Sequence, residues 1–153
     1  MLSDMKSLKE IFHQEKSRPY LIIVDQSSSM FFGSEHAFKS VLAAQLASLI
    51  AWQVLASGDG LSAIITTNDQ QHYIPLGYRQ KNTLKFIHQL NQCNQQLNNS
   101  VPPSSTHLDI TLKQAQQHAR SGYSVIIISD FLYLSASSQQ LLYSLRNRNS
   151  LAA

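Results

Sequence analysis

Asp25, Ser27 and Ser29 are the residues whose types and spacing point most clearly to chemistry, because they follow the apolar residues 20–24 and alternate along one short loop. Side chains two positions apart in an extended segment point in the same direction. One carboxylate and two hydroxyls are therefore expected to converge on a single point. Oxygen donors without nitrogen or sulfur suit hard cations such as Mg²⁺ or Mn²⁺, which prefer octahedral geometry and keep some of their water.

Two more oxygen donors, Asp130 and Thr106, complete a candidate metal site. Asp130 follows a second predicted strand, residues 124–129, which is apolar from Val125 to Ile128, and its carboxylate approaches the same point if the two strands are neighbours. Thr106 opens the helix before that run, so its hydroxyl can close the set. The same hydroxyl could instead cap the helix, and Ser104 or Ser105 could supply the ligand in its place. The predicted metal ligands are Asp25, Ser27, Ser29, Thr106 and Asp130.

The two apolar runs that lead to these acids are predicted to be core strands. Short β-branched runs without polar residues suit strands that are buried on both faces of a sheet. A further strand is predicted at residues 61–67, and a short polar turn leads from it to a third strand at residues 72–76. So short a link favours a hairpin, and Pro75 favours an edge position for the third strand.

Helices are predicted between and after these strands. The longest helix is predicted to begin with Ser34 as its N-cap and to end near Gly58. Two further helices are predicted to start near Gln80 and Thr106. The last helix is predicted to begin with a capping box formed by Ser137 and Gln140. The longest helix carries an apolar stripe at helical spacing, together with alanines that permit close packing against a sheet and a tryptophan expected in the same packing. The stripe is Phe38, Val41, Leu42, Gln45, Leu46 and Leu49, the alanines are Ala43, Ala44, Ala47 and Ala51, and the tryptophan is Trp52.

This order of elements predicts an α/β fold in one domain over residues 1–153. Long crossovers between all-apolar strands imply a three-layer, doubly wound, mainly parallel sheet of the Rossmann-like kind. Ligands in such folds bind beyond the carboxyl ends of the strands. Asp25 and Asp130 are both expected at that end.

The composition excludes several classes of protein. The net charge is +3, charged residues make up 14% of the chain and no basic stripe is present, so nucleic acid is not an expected partner. Cys93 is the only cysteine, which excludes an internal disulfide and a multi-cysteine metal site. We find no signal peptide and no apolar run long enough to span a membrane, so we predict a soluble, cytoplasmic protein without a membrane segment.

Motifs of the common catalytic and metal sites are also missing from the sequence. There is no phosphate-binding glycine loop and no nucleophile elbow. None of the six histidines has the spacing of a metal-ligand pair. His36 and His107 are near the candidate site in sequence, and both are interpreted as solvated surface residues.

The loop motif and a wider set of segments resemble known families. Asp-x-Ser-x-Ser at residues 25–29 is similar to the metal-ion-dependent adhesion site (MIDAS) of von Willebrand factor A domains. In that family two serines and a threonine bind the metal, and the aspartates often act through water, which implies these roles for the five predicted ligands. The wider segments are Arg18-Pro19, Val24-Asp25-Gln26, residues 29–34, Lys39-Ser40-Val41, Ala51-Trp52, Gly58-Asp59 and residues 128–131. They resemble a bacterial family of unknown function, domain-of-unknown-function family fifty-eight, which has a von Willebrand factor A-like core.

The resemblance covers about residues 11–145 and carries implications for partners and for chain length. Members of the family often occur beside MoxR-type AAA+ ATPases, which implies a role as adaptor or assembly factor. The family continues past the last helix with at least one more strand and helix, so a chain that stops at Ala153 is expected to be truncated and to lack the last strand. The strand at residues 125–128 is then expected to be an exposed edge that supports a homodimer.

The function predicted from these observations is a non-enzymatic, metal-ion-dependent protein-interaction module, in which an open coordination position accepts an Asp or Glu of a protein partner. One alternative is a Mg²⁺-dependent phosphatase or phosphotransferase of the haloacid dehalogenase type, which also places an aspartate after the first strand. Those enzymes use a second aspartate as general acid two residues later, where this chain has Ser27. The other alternative is a remnant domain with a non-functional site.

Overall fold

The structure, a computed structural model, describes residues 17–31, 33–34, 37–97, 106–132 and 134–152. The predictions made for His36, Ser104 and Ser105 lie outside these residues. The strands are β1 (Pro19–Asp25), β2 (Gly33–Ser34), β3 (Ala37–Phe38), β4 (Gly60–Thr66), β5 (Gln71–Gly77), β6 (Ser124–Ile128) and β7 (Ser150–Ala152). The helices are α1 (Lys39–Ala56), α2 (Gln80–Gln96), α3 (Thr106–His118) and α4 (Ala136–Arg148), and a short 3-10 helix, Ser28–Phe31, follows β1.

A five-stranded sheet in the order β5-β4-β1-β6-β7 forms the centre of the fold. β1 pairs in parallel with β4 and β6, and β7 pairs in parallel with β6, whereas β5 runs antiparallel to β4 at the edge. Leu21 and Ile23 point into the core on one face of the sheet, and Ile22 and Val24 into the core on the other. β1 is therefore apolar at both positions of its two-residue repeat. The predicted doubly wound, mainly parallel fold, including the edge hairpin, is confirmed.

The crossovers place the ends of β1 and β6 beside a crevice. From β1 the chain passes through α1 to β4 on one side, whereas β6 lies on the other side of β1. In doubly wound folds ligands bind where the direction of the crossovers changes, outside the carboxyl ends of the strands. Asp25 ends β1, and Asp130 lies two residues beyond the end of β6, so both acids belong to this end of the sheet.

Helix α1 packs against the sheet through its alanines and not through its largest apolar residues. Ala43, Ala47 and Ala51 are buried in the core that β1 and β4 form with α1 and α2. Small side chains let the helix axis approach a sheet whose own side chains are large, so the predicted packing of these alanines is confirmed. The predicted packing of Trp52 and the placing of the apolar stripe are wrong, because the large residues face outward. They are Leu42 (54% exposed), Leu46 (50%), Leu49 (69%) and Trp52 (40%).

Two helices begin later or are capped differently than predicted. α1 begins at Lys39 and not at Ser34, because residues 33–34 and 37–38 form the β2-β3 ribbon. α4 is capped by Ser135 and not by Ser137. The Ser135 hydroxyl accepts a hydrogen bond from the Ser138 amide at 3.0 Å, and this satisfies one of the free donors at the start of the helix.

The prediction that no segment could span a membrane needs a correction at α1. Among the described residues this helix alone is long and apolar enough to cross a membrane by length and composition. Its alanine face packs on the sheet, and a helix in the core of a folded domain meets the same criteria. Its composition is therefore weak support for a membrane span.

The strand that was expected to be missing beside β6 is present as β7. Ser124, Val125 and Ile126 pair with residues 150–152, so β6 is not an edge strand over this length. Asn149 anchors β7, since its side chain accepts from the Tyr123 amide at 2.9 Å and donates to a carbonyl of the turn after α3. The expected exposed edge at β6, on which the predicted homodimer rested, is therefore wrong.

Candidate metal centre

The loop after β1 is folded around the Asp25 carboxylate. Asp25 Oδ1 accepts a hydrogen bond from the Ser27 amide at 2.9 Å, and the Met30 amide donates to the Ser27 carbonyl at 3.0 Å. The chain thereby turns into the 3-10 helix at residues 28–31 immediately beyond the strand. Asp25, Ser27 and Ser29 are all at most 4% exposed, which is unusual for a polar loop and means that its polar groups must bond to one another.

Four of the five predicted ligands lie together. The hydroxyl oxygens of Ser27 and Ser29 are 3.3 Å apart, and Ser29 Oγ donates to Asp130 Oδ1 at 3.5 Å. The contact between Ser29 and Asp130 joins the ends of β1 and β6 across 101 positions of sequence. The structure therefore brings two carboxylates and two hydroxyls to one point at the carboxyl end of the sheet.

Thr106 is placed differently from the other four predicted ligands. It is the first residue of α3, and its side chain is exposed. The next residue, His107, is the one that α3 directs toward Asp25. The role of Thr106 as a ligand stays a prediction.

His107 and Ser129 surround the Asp25 carboxylate, and neither residue was predicted to belong to the site. His107 is 5% exposed, which corrects its interpretation as a surface residue, and its Nε2 lies 3.6 Å from Asp25 Oδ1. Ser129 Oγ donates to Asp25 Oδ2 at 2.6 Å and accepts from the Phe131 amide at 3.1 Å. Position 129, next to an acid at a strand end, could have drawn attention to Ser129. The position of His107 in the sequence does not show in which direction its side chain points.

The surroundings of Asp25 favour its ionised form. Burial raises the pKa of the Asp25 carboxyl, but the polar contacts of this carboxylate with His107, Ser129 and Ser27 together outweigh burial, and the net result is a pKa below the ordinary value of 3.8. Asp25 is therefore expected to carry a negative charge in the folded protein at neutral pH.

The lowered pKa of Asp25 predicts a specific dependence of stability on pH. A carboxyl with a depressed pKa in the folded state contributes stability that is fully present above its unfolded value and is lost as the pH falls through the folded pKa. With EDTA present, we expect the stability difference between wild type and Asp25→Asn to be constant above about pH 5 and to shrink at lower pH. Urea unfolding of both proteins across this range measures the difference. A difference that grows on acidification would contradict the lowered pKa.

Gln26 holds the loop against the helices on one side of the sheet. Its fully buried side-chain amide donates to the Ser40 carbonyl at 3.0 Å and accepts from Asn94 Nδ2 at 3.0 Å. From the other side, Asn68 accepts a hydrogen bond from the Ser28 amide at 2.9 Å. The loop is thus tied to α1, to α2 and to the turn after β4, which fixes the direction of its hydroxyls.

The space beside these side chains is small. A cavity of about 10 Å³ lies at the site, which is room for one ion or water molecule. Its lining combines the acids with the residues around them: Asp25, Ser29, His107, Leu108, Ser129, Asp130, Phe131 and Leu132.

The donor set fits a hard divalent ion held partly through hydroxyls or water. Within the described parts of the chain, no group of three or more His, Cys, Asp and Glu side chains could hold a metal. A metal at this site would therefore depend on Ser27 and Ser29 in addition to the two carboxylates. Both Asp25 oxygens already accept hydrogen bonds from the protein, so this carboxylate fits contact through water better than direct coordination.

Comparisons with known proteins bear on the family and the fold. A family model described as "Protein of unknown function DUF58" matches residues 6–153. No curated protein is significantly similar to the chain in sequence.

The fold resembles solved structures at low sequence identity. One is the crystal structure of an aerotolerance-related membrane protein from Bacteroides fragilis, at a TM-score of 0.66 and 14% identity. The match covers 88% of this chain, and the chain spans 65% of the length of that protein. A second structure, the SpRpn10 VWA domain, matches at a TM-score of 0.44 and 11% identity. The match covers 89% of this chain and 87% of that one, but the similarity is too low to support an argument.

Proposed function

Because the chain belongs to the family described as protein of unknown function DUF58, we propose that it is a non-enzymatic protein-interaction module that contacts its partner through a divalent metal ion. The observation that carries this proposal is the convergence of Ser27, Ser29 and Asp130 oxygens beside the buried Asp25 carboxylate. Two carboxylates can neutralise Mg²⁺ or Mn²⁺, and when bound the ion would offer a coordination position to an Asp or Glu of the partner.

Each residue of the site has a separate task in this proposal. Ser27, Ser29 and Asp130 would hold the ion, and Asp25 would hold it through water while its own oxygens stay bonded to the loop and to Ser129. Thr106, at the exposed start of α3, would complete the set. His107, beside Asp25, would keep bulk water from the inner side of the site.

The resemblance to a family found beside MoxR-type AAA+ ATPases extends the proposal to a partner. We expect such an ATPase to be a candidate, with this protein as adaptor or assembly factor in the cytoplasm. A pull-down of the ATPase with the protein as bait, in Mg²⁺ and in EDTA, tests the partner and its metal dependence together. Equal capture in both conditions would contradict a contact through the metal.

A matched pair of serines in the same loop tests the metal site. Ser27→Ala removes a hydroxyl that faces the site, whereas Ser28→Ala removes a buried hydroxyl that has no hydrogen-bond partner among the described residues. We expect Ser27→Ala to weaken Mg²⁺ or Mn²⁺ binding about 10-fold or more and Ser28→Ala to leave it unchanged. Calorimetric titration measures both affinities. Equal affinities in the two variants would exclude the proposed ligand set.

The phosphatase alternative gains no support from the geometry. Position 27 carries a serine, which cannot protonate a leaving group at neutral pH, and it is fully buried. Robust Mg²⁺-dependent turnover in a phosphatase screen, lost in Asp25→Asn, would reverse this preference.

A further inference from the structure

Lys39 places a positive charge on one of the two carboxylates of the candidate site. Its Nζ lies 3.2 Å from Asp130 Oδ2, with the lysine side chain 39% exposed and the aspartate side chain 10% exposed. The other carboxylate oxygen, Asp130 Oδ1, accepts from Ser29 Oγ at 3.5 Å and from the Leu132 amide at 3.2 Å. Asp130 is therefore shared between a cation that belongs to the chain and the hydroxyls that would bind a metal.

The fold fixes the place of Lys39 beside the site. Lys39 is the first residue of α1, and the Gln26 side chain bonds to the carbonyl of the next residue, Ser40, at 3.0 Å. The start of α1 is thereby tied to the loop that carries Ser27 and Ser29. Lys39 therefore lies beside Asp130 because α1 begins next to the site. No long loop is needed to bring the lysine to the carboxylate.

The start of a helix is an unfavourable place for a positive charge. The helix dipole is positive at its N-terminus, and the first turn of α1 contains no acidic residue that could offset Lys39 locally. The Asp130 carboxylate, which lies two residues beyond the end of β6, provides that compensation. The ion pair therefore stabilises two features at once, the start of α1 and the charge of Asp130.

We propose that the Lys39 ammonium competes with a divalent ion for the Asp130 carboxylate and so sets the metal affinity of the site. This inference rests on the proposed function. A metal beside Ser29 and Asp130 and an ammonium on the same carboxylate repel each other, so metal binding displaces Lys39. Because the lysine side chain is partly exposed, its ammonium can move into water when it leaves Asp130. Lys39 is thus a regulatory residue of the site and not one of its ligands.

The affinity of the site for Mg²⁺ or Mn²⁺ in two substitutions at position 39 tests the competition. Lys39→Met removes the ammonium and keeps the length of the side chain, and Lys39→Arg retains the charge as the matched control. We expect Lys39→Met to tighten metal binding about fivefold, the scale of a partly exposed ion pair, and Lys39→Arg to stay within about twofold of wild type. Calorimetric titration at one ionic strength measures all three proteins.

Chemical labelling of lysines tests the displacement itself. Acetylation of Lys39 with an amine-reactive ester, followed by peptide mass spectrometry, is expected to become faster when Mg²⁺ is added to the wild-type protein. Lys81 and Lys85 are exposed residues of α2 and serve as internal references whose labelling should not change.

The outcomes separate this inference from the proposed function. Metal binding by the wild type, with unchanged affinity in Lys39→Met and unchanged labelling of Lys39, would overturn the competition and leave the metal site standing. The absence of metal binding in both wild type and Lys39→Met would overturn the proposed function and the inference with it. Metal binding in Lys39→Met that is stronger than in the wild type, with faster labelling of wild-type Lys39 in Mg²⁺, supports both.

Discussion

In the Asp25→Asn variant we expect the affinity for Mg²⁺ or Mn²⁺ to fall about 100-fold or more, the largest functional effect of any single substitution in this chain. The change removes one of the two negative charges that would neutralise the ion, at a position that is 3% exposed and shielded from water. Loss of a group that only orients a ligand typically costs 10- to 100-fold in metal affinity, and Asp25 contributes charge in addition.

The same substitution disturbs the loop, so stability must be measured beside affinity. Asp25 accepts hydrogen bonds from the Ser27 amide and the Ser129 hydroxyl on different oxygens, whereas asparagine has a single acceptor oxygen. We expect a loss of about 1–3 kcal/mol in the free energy of unfolding. Circular dichroism should show a folded protein and urea unfolding should give the loss, while calorimetry gives the metal affinity.

Asp69→Asn is the matched control for Asp25→Asn. Asp69 is an exposed carboxylate in the β4-β5 turn, where it accepts a hydrogen bond from Thr67. Its substitution removes the same charge from the chain without removing a carboxylate of the candidate site, so metal affinity should not change. If Asp69→Asn weakened binding as much as Asp25→Asn did, the effect would reflect net charge, and the candidate site would lose its support.

Ala47→Leu is expected to give the largest loss of stability on α1, about 2–3 kcal/mol in the free energy of unfolding. Ala47 is completely buried between α1 and the sheet, in the core that includes Ile22, Val24 and Ile65. Three additional carbon atoms at this position force the helix away from the sheet or push side chains out of their preferred rotamers. The midpoint of urea unfolding measures the loss.

Leu46→Ala, one position earlier on the same helix, is the control for Ala47→Leu. Leu46 is half exposed, and its truncation is expected to change the free energy of unfolding by about 0.5 kcal/mol or less. Under the helix orientation suggested by the apolar stripe, the order of the two effects would be reversed. A larger loss in Leu46→Ala than in Ala47→Leu would therefore contradict the orientation of α1.

Much of the sheet was predictable because its signals are local. Residues 20–24 of β1 and residues 125–128 of β6 are apolar at every position, which only a strand covered on both faces requires, and an acid follows each run within two residues. The position of Asp25 and Asp130 at one end of the sheet followed from the general rule that parallel strands end on the same side. The alternation of Asp25, Ser27 and Ser29 predicted their convergence, but the extended segment assumed for it was wrong, because Ser29 lies in the 3-10 helix at residues 28–31.

β7 was missed because its pattern is weak. The strand has only three residues, Ser150, Leu151 and Ala152, and is largely exposed. A strand of this kind exists because β6 offers it free backbone groups and because Asn149 anchors its start. Neither cause is visible in the residues of the strand itself.

The sequence by itself determined the order of the helices and of β1, β4, β5 and β6, the doubly wound class, and the loop whose oxygens converge after β1, since periodicity and residue type act over a few neighbouring positions. Only the tertiary structure decided that α1 faces the sheet with Ala47. The helix carries apolar residues on all of its sides, so the periodicity of the sequence leaves its orientation open. Only the tertiary structure, too, placed His107 beside Asp25 and Lys39 on Asp130. Those contacts depend on where α3 and α1 cross the end of the sheet, and that is set by packing between segments far apart in the chain.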